Sequence, residues 1–279
     1  MKFGIISSYE HEKTFENIKK LGLDGMEFTV NHNIDSNEFL KQVPAIKERL
    51  EKYGLSALST GRWGMKRVDA DGNIIAEALQ HDFNVIDGAQ SLGCPVFNCG
   101  CNYAEKRSLE ENYDIATAYF SKLIDYAKGK NVKIAVYNCH WENFVISPEQ
   151  WDVVLKRLPE LGIKYDPSHC ISRTLSYDYY LSEMARYGDR FYHFHVKGML
   201  LVDGKRYDDP PAGMDGINWG AVFDILYTKN YNGAVSYEPH SAYWRGNRGR
   251  WGIDFSVEYI RKFIMPEDYE GEMATPYML

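Results

Sequence analysis

Residues 191–198 read FYHFHVKG. From His193 on, ionisable residues fall on every second position and apolar ones between them. Successive side chains of a β-strand point to opposite faces, so His193, His195 and Lys197 share one face and Phe194 and Val196 the other. Burying three ionisable groups on one strand face is costly unless they bind a ligand or move a proton. The fold follows from what surrounds this strand.

Short apolar runs alternate with longer helical patterns on both sides of it. KFGIISS (2–8), GMEFTV (25–30), LSALST (55–60), PVFNCG (95–100), VKIAVYN (132–138), IKYDPSH (163–169) and GAVSYEPH (233–240) each precede a helical stretch. With FYHFHVKG they make eight β-then-α units. Strands alternating with helices call for a parallel sheet. Eight units in this length fit a single closed (β/α)8 TIM barrel over residues 1–265 better than an open doubly wound sheet. GIISSYEH after the first strand is not the G-x-G-x-x-G fingerprint of a dinucleotide-binding fold. Ser147-Pro148-Glu149 reads as an N-cap with proline at the first helical position. Residues 266–279 form an acidic, aperiodic tail that could pack on a partner.

The 279 residues are 44% apolar and 25% charged, ordinary for a soluble globular chain. A net charge of −7 argues against a broad nucleic-acid surface, which needs a basic excess. Five cysteines in no disulfide spacing, no signal-like start and no membrane-length apolar run point to a reduced cytoplasmic protein. Cys99-Gly-Cys101 lacks a second pair and reads as structural.

Active sites of α/β barrels lie at the C-terminal ends of the strands. His140, His169, His193, His195 and His240 fall near the ends of strands five to eight, with Asp166 and Glu238 beside them; Glu27 lies in the second strand. His11, His32 and His81 read as surface or loop residues. Asp, His and Glu converging from successive strands are the donor chemistry of a divalent ion such as Mn²⁺, Co²⁺, Zn²⁺ or Mg²⁺. Such an ion would polarise a carbonyl or hydroxyl of a polyol, and a neighbouring carboxylate could take the proton from the adjacent carbon. The blander readings are a helix-capping turn for Asp166-Pro-Ser-His169, a salt bridge to Arg245 or Arg248 for Glu238, and an ion pair for Glu27.

The ordered set VYNCHW, KYDPSH, HFHVKG and SYEPH, with GLDGMEF (22–28), GMDGINWGAVFDIL (213–226) and GIDFSVEYIRKFI (252–264), resembles the xylose isomerase-like TIM barrels, the sugar phosphate isomerases and epimerases. The resemblance covers nearly the whole chain. It implies one divalent ion, Mn²⁺ first, held by Asp166, His195 and Glu238. It makes His169 a contact to substrate or metal, and Trp63 and Arg245 substrate contacts. His193 joins them as a residue one step deeper, with Glu27 beside it. The family's fifth-strand glutamate is replaced here: Asn138 stands in its place, or Tyr137 with a shift of one residue. Asn138 can ligate through its amide oxygen, and Glu142 could reach in from the loop. Without that glutamate a stereo-inverting reaction lacks its second carboxylate base, a role His140 could fill.

The expected function is therefore metal-dependent isomerisation or epimerisation of a sugar or keto-sugar. Glu238 or His140 would remove the proton, and Lys197 or His169 would stabilise the developing oxyanion. The alternatives are elimination from a 3-keto-sugar or glycoside at the same site, or a sugar-binding barrel without catalysis. An apurinic-site endonuclease would need further histidines after strands two and three, and the third strand ends STGRWG. The expected partner is a small sugar, with no nucleic acid and no membrane; a homo-oligomer is an open possibility.

Overall fold

The computed structural model describes residues 1–266 and Tyr269. Barrel strands and helices alternate along the chain: β1 (Lys2–Ile6), α1 (Glu12–Lys20), β2 (Gly25–Thr29), α2 (Ser36–Tyr53), β3 (Ser56–Gly61), α3 (Ala76–Ser91), β4 (Val96–Cys99) and α4 (Leu109–Ala127). The second half continues with β5 (Lys133–Tyr137), α5 (Pro148–Arg157), β6 (Gly162–Tyr165), α6 (Pro167–Thr174), α7 (Tyr180–Tyr187), β7 (Phe191–Val196), a hairpin β8 (Leu200–Val202) and β9 (Lys205–Asp208), α8 (Trp219–Thr228), β10 (Ala234–Tyr237) and α9 (Gly246–Arg261). The strands close in the order β1-β10-β7-β6-β5-β4-β3-β2, all parallel. This is the (β/α)8 barrel that the alternation predicts. The tail expected over 266–279 lies, apart from Pro266 and Tyr269, outside the described residues.

Local chemistry sets the ends of the elements. Asp35 caps α2 by accepting from Asn37 N at 2.9 Å, and Gly54 ends that helix in the left-handed conformation at φ 60°. Ser108 and Glu111 form a reciprocal capping box at α4. Ser147 precedes Pro148 as expected, but its hydroxyl bonds the Gln150 side chain instead of a backbone N–H. The β8–β9 hairpin turns at Asp203-Gly204, both with positive φ, as a two-residue Asp-Gly hairpin turn requires.

The core has two layers. Between sheet and helices, Phe15, Phe39, Phe120, Trp151 and Trp219 are buried against Phe3, Phe28 and Phe194 of the strands. Each such side chain contributes roughly 1.5–3 kcal/mol over its exposed state. Inside the barrel the layer is polar: Glu27, Ser59, Asn98, Lys164, His193, His195 and Ser236 are all buried. Apolar side chains hold the shell, and the interior is left for chemistry. Among the described residues no helix is long and apolar enough to cross a membrane.

Candidate functional site

The site lies at the C-terminal ends of β5, β6, β7 and β10, around a cavity of about 280 Å³. Its walls include Trp63, His140, Lys164, His169, His195, Lys197 and Glu238. The parity of β7 is the expected one. Ala234 and Ser236 of β10 lie opposite His193 and His195, and Lys164 of β6 lies opposite His193.

His195 is held from both sides. Its Nε2 donates to Glu27 Oε2 at 2.6 Å, and its Nδ1 lies 3.0 Å from Glu238 Oε2. His193 Nε2 donates to the same Glu27 oxygen at 2.5 Å. An ionised carboxylate only accepts, so both Nε2 atoms carry hydrogen. Burial disfavours charge on His195, but Glu27 and Glu238 together outweigh it and raise the imidazole pKa. His193 goes the other way, lowered by burial despite Glu27. Burial would raise the Glu27 pKa; His195 and His193 instead hold it well below the carboxylate range.

Asp166 sits between β6 and α6 and does two jobs. Its Oδ1 caps α6 by accepting from Ser168 N at 2.8 Å. Its Oδ2 is buried without a hydrogen bond, 3.2 Å from Lys197 Nζ and 3.5 Å from His169 Nε2. The residue that caps α6 is thus also the one that the sequence offers as a ligand candidate. Lys197 Nζ also lies 3.2 Å from His169 Nε2 and 3.9 Å from Glu238 Oε2. Burial opposes its charge, and Asp166 and then Glu238 raise its pKa. Burial and the Lys197 charge push His169 well below its ordinary value, leaving a neutral ring that accepts from the ammonium. Glu238, despite burial, is held ionised by Lys197 and His195.

Asp166, His195 and Glu238 offer ligand atoms within 4.8 Å of one another, an oxygen–oxygen–nitrogen set that suits a divalent ion. Two features fit such an ion: the unbonded Oδ2 of Asp166, and Glu27 on the far nitrogen of His195, which orients the ring as outer carboxylates orient ligating histidines. A second group, Glu27, His193 and His195, has the same spacing but is fully buried beneath the cavity.

Asn138 departs from its expected place as a ligand. Its Nδ2 donates to Asp166 O at 2.9 Å and its Oδ1 accepts from Asp166 N at 3.0 Å. The amide ties β5 to the turn that carries Asp166, and it does not line the cavity. On β5, Tyr137 lies opposite Lys164, so the inward positions are Tyr137 and then Cys139. Tyr137 stacks on Trp63 at 5.2 Å. Trp63 folds back over the end of β3, and a side chain on Gly61 would strike its ring. Glu142 is partly exposed and not in the wall.

The other expected residues lie below the cavity, at its rim or away from it. Glu27 and His193 are buried below it, where Glu27 bonds both His193 and His195. Arg245 is exposed at the start of α9 and faces a separate cleft of about 580 Å³ between α1 and α9. His140 is exposed at the cavity rim, and His240 borders both cavities while its Nδ1 meets Asp209 at 2.7 Å. The sequence reading missed Lys164. It stands two positions before Asp166, so the strand period that placed His193 and His195 together also places Lys164 with Asp166.

The fold and site define a (β/α)8 barrel with an Asp-His-Glu cluster at the ends of its sixth, seventh and eighth barrel strands. The chain matches the Xylose isomerase-like TIM barrel profile over residues 15–262 and belongs to that family. Three solved structures show the extent of the likeness. A 3-keto-D-glucoside 4-epimerase from E. coli is 17% identical, with a TM-score of 0.72 over 94% of this chain and 99% of that one. A D-psicose 3-epimerase solved in the presence of D-fructose is 18% identical, with a TM-score of 0.73 over 94% and 98%. A D-psicose 3-epimerase from Clostridium cellulolyticum H10, solved with D-tagatose, is 15% identical, with a TM-score of 0.73 over 94% and 99%. Comparison with the sequences of curated proteins finds no match.

Proposed function

We propose that the protein is a divalent-metal-dependent isomerase or epimerase of a sugar or keto-sugar, working by proton abstraction next to a carbonyl. The observation that carries the reading is the Asp166, His195 and Glu238 cluster beside a sugar-sized cavity whose wall includes His195 and Glu238. The sugar epimerases among the structural neighbours support it. Asp166, His195 and Glu238 would hold the ion, Mn²⁺ first. When bound, it supplies Lewis-acid polarisation of substrate oxygen.

The protein's own groups supply the rest. Glu238, ionised and facing the cavity, takes the proton from the carbon beside the carbonyl. Lys197 and neutral His169, neighbours in the wall, stabilise the developing oxyanion. Trp63 presents an aromatic wall to the sugar. His140 at the rim is the group left to return a proton from another direction.

The test is deuterium incorporation from heavy water, read by mass spectrometry, into D-fructose, D-tagatose and 5-keto-D-gluconate with Mn²⁺ present. The wild type should label at least one of them beside the carbonyl, and Glu238→Gln should lower that rate by about 100-fold or more. No labelling of any of the three by the wild type sinks the reading. A second reading, elimination, is favoured by one observation: β5 turns Tyr137 and Cys139 inward and no carboxylate. A dehydrated or cleaved product in the same assay selects it.

A further inference from the structure

Lys164 is the one strongly basic side chain of this cavity that lacks a counter-ion. It is 1% exposed and lines the cavity wall. Among the described residues no carboxylate lies within 4.0 Å of its Nζ. Its neighbour in the wall, Lys197, has Asp166 and Glu238. Arg206 at the mouth has Asp209, which accepts from its Nε at 3.1 Å. Its Nζ lies 5.7 Å from the centroid of the Trp63 ring, and Asp166 and Glu238 feel its charge only from beyond ion-pair distance. A cation over an aromatic face recovers about 0.5–2 kcal/mol, less than the several kcal/mol that burying an ammonium costs.

The other two cations of the wall are matched, Lys197 by Asp166 and Glu238 and Arg206 by Asp209. Lys164 alone is left for an anion that enters the cavity. The missing partner of Lys164 is then a part of the ligand.

We propose that the physiological ligand of this cavity is a sugar acid, and that Lys164 binds its carboxylate on the cavity floor beside Trp63. The volume, about 280 Å³, suits one six-carbon unit and leaves little for a second ring. One ammonium matches one carboxylate. A phosphate dianion would call for a cluster of donors or a helix N-terminus as well. The inference rests on the sugar-enzyme reading for the polyol part of the ligand, and on Lys164 for the acid.

The test is binding, so it does not depend on turnover. Titration calorimetry on the full chain compares D-gluconate, D-glucuronate and 5-keto-D-gluconate with the neutral D-glucose, D-glucitol and D-fructose, and with D-fructose 6-phosphate. At least one acid should bind about 10-fold or more tighter than its neutral counterpart. Lys164→Met should remove that difference while changing neutral-sugar affinity less than about twofold. The unliganded Lys164→Met protein should melt higher than the wild type, because a buried unpaired charge is gone. Lys164→Gln is the second variant, should methionine perturb the wall.

Acids binding no better than neutral sugars, an acid preference that survives in both variants, or a preference for the phosphate ester alone would each overturn the proposal. Failure of the enzyme reading shows elsewhere, as absent deuterium incorporation, and leaves the acid-over-neutral contrast intact.

Discussion

At the residue scale the site turns on which atom of each side chain is already engaged. Asp166 spends Oδ1 on its helix cap and turns Oδ2 towards Lys197 and His169. His195 spends Nε2 on Glu27 and turns Nδ1 to Glu238. Glu27 was expected to touch substrate, and it acts instead by fixing the ring of His195. Glu27→Gln should therefore weaken Mn²⁺ affinity by about 10–100-fold, read by calorimetry, as removal of an outer carboxylate does. Unchanged affinity would mean that His195 is no ligand. The sequence made Asp166, His195 and Glu238 legible because all three sit at strand ends in a period-two or turn pattern. It could not show that Asn138 is spent on main chain, because nothing in VYNCHW says which way an amide at the end of a strand turns.

At the element scale, β5 and β6 decide what kind of site this is. Asn138 clips the end of β5 to the β6–α6 turn through two hydrogen bonds to Asp166. Restoring the family's glutamate at that position should not restore a ligand. Asn138→Glu would lose the donor to Asp166 O and place a charge in a 2% exposed position. We expect a loss of about 1–3 kcal/mol in urea unfolding and no gain in Mn²⁺ affinity. A stabilised variant with tighter Mn²⁺ would show that the side chain can swing inward after all. The eight barrel strands were readable to within a few residues, since apolar runs between helical patterns mark them. IKYDPSH was read as one strand, but the chain leaves the sheet after Tyr165, because Asp-Pro is a helix start. The β8–β9 hairpin carries its own Asp-Gly turn and lies outside the β-then-α alternation, so the alternation does not announce it.

At the scale of the whole molecule, apolar packing outside the barrel holds a polar, charge-laden interior in place, and pH should expose that arrangement. Glu27 and Glu238 are held below the ordinary 4.5, so their stabilisation is complete above that value and is lost as pH falls. His169 and His193 are lowered from 6.5 and stay neutral in the fold, so protonating them in the unfolded chain adds to the loss below about 6.5. His195 is raised and acts in the opposite sense, losing its contribution as pH rises through its folded value. Thermal melts without metal should therefore fall steadily from neutral pH towards pH ~4. A flat profile would mean that these groups are not paired as described. On the proposed function Asp166, His195 and Glu238 hold a divalent ion where Lys197 bridges the two carboxylates. The decisive measurement is an anomalous-scattering map from a crystal equilibrated with Mn²⁺. One Mn²⁺ peak is expected within bonding distance of Asp166 Oδ2, His195 Nδ1 and Glu238, with the Lys197 ammonium moved towards the cavity; a map with no peak there and Lys197 still on Asp166 would overturn the metal site.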